Sequence, residues 1–81
     1  MNLFELREWD KAHPNTYVKV IFKDDTEIIG RIYGIYPANP QHPSGLAEYK
    51  VDYFTFTNTV DETTKPYPIS EIADLQLPPK G

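Results

Sequence analysis

From Tyr17 the chain alternates with a period of two. Val18, Val20 and Phe22 fall on one side and Tyr17, Lys19 and Ile21 on the other, which is the spacing of a strand with one buried face. A strand over 16–23 is predicted. Lys23, Asp24, Asp25 and Thr26 interrupt the pattern with turn chemistry, since aspartate tolerates turn conformations and bonds its own backbone. A second apolar run follows to Tyr36, so a hairpin with its other strand over 26–36 is expected. Gly30 and Gly34 stand inside that strand, where a missing side chain marks a bend or a close backbone approach. Upstream the period is different. Leu3, Leu6 and Trp9 are spaced by threes behind Asn2, a good N-cap, with Glu5 three residues on to complete a capping box. A helix over 3–12 is predicted, ended by Pro14, which forces His13 out of the helical region. The apolar stripe of so short a helix is expected to cover one end of the core rather than to bind a partner.

The second half is punctuated more heavily. Pro37 to Leu46 holds three prolines and a glycine and reads as a loop, long enough to be a candidate binding loop. After it Ala47, Tyr49, Val51 and Tyr53 alternate against Glu48, Lys50 and Asp52, which predicts a strand over 47–57. The apolar face switches at Phe54 and Phe56, so a bulge or twist is expected there. Asn58 to Lys65 is a polar loop, 66–69 a short strand, Ser70 to Ile72 a single helical turn, and 73–77 the last strand. Ile69, Ile72, Leu75 and Leu77 are the core residues of that end, and Pro78 to Gly81 is a tail. The fold class is mainly β: a small, strongly bent, five-stranded barrel with a short N-terminal α-helix, in one domain over 1–81.

Composition narrows the chemistry. A chain of 81 residues supports one core, and 40% hydrophobic with 25% charged residues is a globular balance. Cysteine is absent, which removes disulfides, thiolate metal sites and cysteine nucleophiles. The net charge of -4 and pI near 4.9 oppose broad capture of nucleic acid, which depends on lysine and arginine neutralising phosphates. Glu5, Arg7 and Glu8 break the apolar run a signal peptide needs, and no segment reaches membrane-spanning length. A soluble, cytoplasmic protein without membrane attachment is expected.

Residues Val18 to Asn39 resemble the first half of an Sm-like domain, where an alternating strand, a Lys-Asp turn and an apolar-Gly strand follow one another. Val18, Val20, Phe22, Lys23, Asp24, Ile28 and Gly30 occupy the matching positions, over about a quarter of the chain. The resemblance implies an Sm-like barrel, and the order of elements suits a Src-homology-like barrel as well. In that family an Asp and an Asn after the second strand bind a base. Here Asn39 is the counterpart of the Asn and the Asp is missing. The family's later Arg-Gly pair has no equivalent, and Pro66 and Pro68 remove donors where family rings pair subunits edge to edge.

Catalytic groupings are not evident in the sequence. His13 and His42 each precede a proline in a predicted connection and read as surface residues, and Asp24 and Asp25 read as turn formers. Asp61 and Glu62 form an acidic pair without a cation-binding loop pattern. No phosphate-binding or dinucleotide glycine motif and no nucleophile elbow occurs. A non-enzymatic protein without metal or cofactor is expected. Its unusual feature is six tyrosines, a residue type enriched at interfaces and also favoured on half-buried strand faces. The candidate partner-binding residues are Arg31, Tyr33, Tyr36, Asn39 and Tyr49. A protein-protein interaction module is the leading expectation, with another protein or peptide as partner. The alternatives are a divergent Sm-like nucleic-acid binder, using Arg31, Lys19 and Lys50, and a structural protein that self-associates through an exposed edge.

Overall fold

A computed structural model describes residues 1–78. The expected tail from residue 79 onward lies outside the described residues. Helix α1 spans Leu3–Ala12 with both halves of the capping box formed: Glu5 N–H donates to Asn2 Oδ1 at 2.8 Å, and Asn2 N–H donates to Glu5 Oε1 at 3.0 Å. His13 leaves the helix at φ -133° and ψ 61°, as Pro14 requires. The helix ends where the sequence says it must.

Five strands follow: β1 Val18–Phe22, β2 Glu27–Tyr36, β3 Tyr53–Asn58, β4 Thr64–Pro68 and β5 Ile72–Gln76. They form one antiparallel sheet in the order β4-β3-β2-β1-β5. The mainly β class, the five strands, the bend and the N-terminal helix are as expected. The expected barrel is not closed: β4 and β5 are the two edges of the sheet with no ladder between them, and Pro66 and Pro68 on β4 bring no N–H with which to close it. The β1–β2 turn is tight: Asp25 N–H donates to Phe22 O at 2.9 Å, Asp25 takes a φ of 70°, and the Asp24 carboxylate accepts from Thr26 N–H and Oγ1. Those two bonds favour the charged carboxylate and hold the Asp24 pKa below its ordinary value.

The concave face carries the core. Leu6, Val18, Val20, Phe22, Phe54, Phe56, Ile69 and Ile72 are buried together, with Leu3, Trp9, Ile28, Ile32, Ile35, Tyr67 and Leu75 packed around them. The Leu3, Leu6, Trp9 stripe therefore supplies core area. Leu77, expected in the core, is exposed, because the last strand ends at Gln76.

The largest difference from the sequence reading is in 47–57. Ala47–Lys50 is a 3₁₀ turn, and β3 begins only at Tyr53. Alternation alone could not reveal this, because Tyr49 N–H donates locally to Leu46 O at 3.2 Å and no residue of the turn is buried. The expected bulge also lies on the opposite strand. Ile32 pairs with Phe56 and Gly34 with Thr55, so Tyr33 is the extra residue on β2. Beyond it the core positions jump from Ile32 to Ile35, which pair with Phe56 and Phe54. The last helical turn is Ile69–Glu71, one residue earlier than predicted, and carries the chain from β4 to β5.

Candidate interaction surface

The five candidate residues fall into two groups. Tyr36 and Tyr49 meet on Tyr53: the Tyr36 ring stacks on it at 5.2 Å between centroids, and Tyr49 meets it edge-on at 4.8 Å. His42 completes the cluster, lying parallel to Tyr49 at 3.6 Å. Tyr53 is buried, and burial raises its hydroxyl pKa above the usual tyrosine value, with smaller contributions from Tyr49 and Tyr36.

This cluster fixes the proline-rich loop. Asn39 contributes its backbone: its N–H donates to Tyr49 O at 2.6 Å and its carbonyl accepts from His42 N–H at 3.1 Å. Ala38 N–H donates to Asp52 Oδ1 at 3.0 Å. Ser44 N–H donates to His42 Nδ1, and Leu46 N–H donates to Ser44 Oγ. His42 is thus a stacked organiser of the loop rather than a free surface residue. Its role was hidden in the sequence because its partner Tyr49 is seven residues away across a turn. His13 is similarly engaged, stacked on Trp9 at 4.3 Å with Nδ1 2.9 Å from the Trp9 carbonyl.

Arg31 and Tyr33 lie elsewhere. They border a hollow between α1 and β2, of about 320 Å³, whose other walls include Asp10, Lys11, Asn15 and Ile32. A second hollow of about 480 Å³, bordered by Phe4, Arg7, Glu8 and Ile35, also touches Asp10 and Lys11, so the two hollows are neighbours along the helix. Tyr33 is 77% exposed and Phe4 is 70% exposed. A bulge residue has no cross-strand neighbour, so the backbone aims Tyr33 away from the ladder. Arg31 lies 5.7 Å from the centre of the Tyr17 ring and 3.4 Å from Asn15 Oδ1. Sequence reasoning missed Phe4, which lies off the apolar stripe of α1.

The sheet edges are obstructed by different means. The Asn58 N–H bond to Thr63 O sets the phase of the β3–β4 ladder, so Lys65 and Tyr67 bond inward and Thr64, Pro66 and Pro68 face outward. Two of those three outward positions have no N–H. On β5 a bulge at Ala73 breaks the register. The next outward N–H, that of Leu75, donates to Oδ1 of the preceding residue, Asp74, at 2.9 Å, while Gln76 Nε2 donates to Asp74 Oδ2 at 3.0 Å. Prolines, bulges and local charge are the devices by which sheets resist edge pairing.

Among the described residues no group of three or more His, Asp or Glu is placed to hold a metal ion, and no helix is long and apolar enough to cross a membrane. No protein-family model, no curated protein and no solved structure matches this chain.

Proposed function

We propose that the chain is a non-catalytic protein-interaction module, and that Tyr33 with Arg31 and the exposed side of α1 meets the partner. The observation that carries this reading is the bulge that stands Tyr33 out of the sheet at one hollow along α1, next to a second hollow bordered by Phe4. Two exposed aromatic rings at neighbouring hollows lined by cations and carboxylates match the mixed composition of interfaces, where aromatic and arginine side chains anchor and polar groups form the rim. Tyr36, Asn39 and Tyr49 have a supporting role in this proposal, holding the adjoining loop in shape.

The alternatives are less well supported. For a nucleic-acid binder, Lys19 is tied to Glu27 at 2.7 Å and Arg31 is directed to Tyr17, within a protein of net charge -4. For self-association, both sheet edges are obstructed. An Sm-like origin is proposed for the fold only, on the strength of the hairpin motif and the bent five-stranded sheet behind a helix.

The test is a pair of NMR titrations of the isotope-labelled chain at low salt, with a peptide pool and with mixed single-stranded oligonucleotides. Peptide-induced shifts centred on Tyr33, Arg31 and Phe4, lost in Tyr33→Ala, are expected. Shifts at these residues with oligonucleotides alone, steeply weakened by salt, would replace this reading with the nucleic-acid one.

A further inference from the structure

The open side of the sheet contains a cleft that the Tyr33 surface does not use. It lies where the β1–β2 hairpin faces the end of β4, and has a volume of about 260 Å³. Phe22 and Ile28 from the hairpin and Tyr67 and Pro68 from β4 line it. The Tyr67 ring is tilted against Phe22 at 5.4 Å and against Phe54 at 5.6 Å, so core packing holds its aromatic wall in place. This volume suits one long side chain and is too small for a helix.

Charge indicates which side chain. Asp24 and Glu71 border the cleft, and among the described residues no cation lines it. Asp24 Oδ1 is occupied by Thr26, which leaves Oδ2 without a hydrogen bond among the described residues. Glu71 makes no side-chain hydrogen bond or ion pair among the described residues. An apolar slot with an aromatic wall and carboxylates at its mouth complements a group with an aliphatic stem and a cationic end. Arginine fits better than lysine, because its planar guanidinium both stacks on a ring and forks onto a carboxylate. The acidic net charge favours encounter with a basic segment.

We infer that the cleft between Phe22, Ile28, Tyr67 and Pro68 receives an arginine side chain from an extended basic segment of a partner protein, with Asp24 and Glu71 taking its guanidinium. The stem covers Ile28 and Pro68, and the head group lies between Tyr67 and the two carboxylates. This surface is independent of the one at Tyr33, so the two can be tested apart.

The isotope-labelled chain is titrated with a short peptide carrying one arginine among small residues. Copies with lysine, citrulline or norleucine at that position serve as controls. Saturable shifts at Phe22, Ile28, Tyr67 and Glu71 are expected for arginine, with weaker binding by lysine and about tenfold or greater loss for citrulline, which keeps the shape and drops the charge. Glu71→Gln and Asp24→Asn, both at exposed positions, each weaken the arginine peptide several-fold while Tyr33→Ala leaves it unchanged. Equal binding of norleucine or citrulline would overturn the proposal, as would shifts that avoid the cleft or no shifts at millimolar peptide. The Tyr33 reading survives any of those results.

Discussion

Strand β2 holds two glycines four residues apart, and they are excluded from having side chains by different neighbours. A Cβ at Gly30 would strike the Thr57 carbonyl and lie 2.8 Å from a Phe56 ring carbon. There the strand is sandwiched between β1 and β3, and what it meets is backbone and buried core. A Cβ at Gly34 would lie 2.6 Å from carbons of the Tyr36 ring, a side chain 40% exposed. One end of the strand is closed by groups that cannot move, the other by one that can. The same strand is thus a rigid core element over its first half and a platform for adaptable aromatic packing over its second.

Gly30→Val tests the rigid half most severely. Overpacking of a core costs about 1 to 3 kcal/mol, and with a backbone carbonyl as the obstacle the upper end of that range is expected, read as a lowered denaturation midpoint. An unchanged midpoint would show that the groups around Gly30 can move and that this half is not rigid.

At Gly34 the alanine substitution displaces the Tyr36 ring from its stack on Tyr53, an interaction worth about 0.5 to 1.5 kcal/mol. The loss should be smaller than at Gly30 and should vanish in a Tyr36→Ala background, where the removed ring leaves space. A double-mutant cycle measures that coupling. Additive losses would mean that the ring is not what excludes the side chain.

The aromatic half also has a pH signature. Burial raises the Tyr53 pKa above the model-compound value of 10.0, and burial with the Asp61 charge does the same for Tyr67. With folded-state values above the unfolded one, the folded chain holds these protons more tightly. Their contribution to stability is complete below about pH 10 and is lost as pH rises through the folded values. Denaturation midpoints measured across alkaline pH should fall there, and less so in Tyr53→Phe.

Tyr33→Ala should have the smallest effect on stability, within about 0.5 kcal/mol, because the bulge residue is 77% exposed. Its effect is expected in partner titration alone. A large change in midpoint would make Tyr33 part of the packing rather than of a binding surface.

Legibility in the sequence followed the range of the interactions. Helix α1 was read with its bounds intact because its capping box, its stripe and Pro14 act within a few residues. The β1–β2 hairpin was read closely for the same reason, since its turn is made by Asp24, Asp25 and Thr26 themselves. Tyr49 shows the limit. Its alternation with Ala47 and Val51 imitates a strand, yet a local turn, the Asn39 N–H and the His42 ring hold it instead. Of the candidate binding residues, the sequence identified Tyr33 and Arg31 as chemically suitable but could not separate them from Tyr36 and Tyr49, whose rings are spent on Tyr53.

By itself the sequence determined the elements whose signals are local: the helix, the hairpin, the β class and the absence of thiol chemistry. Tertiary structure decided that the sheet stays open, which residue bulges from β2, and which aromatic rings face solvent. Those outcomes depend on which distant segments meet: Phe56 against Gly30, Tyr53 between Tyr36 and Tyr49, and Tyr67 against Phe22. A side-chain period of two records that a strand has two faces. Only the packing of its neighbours determines which groups those faces must accommodate.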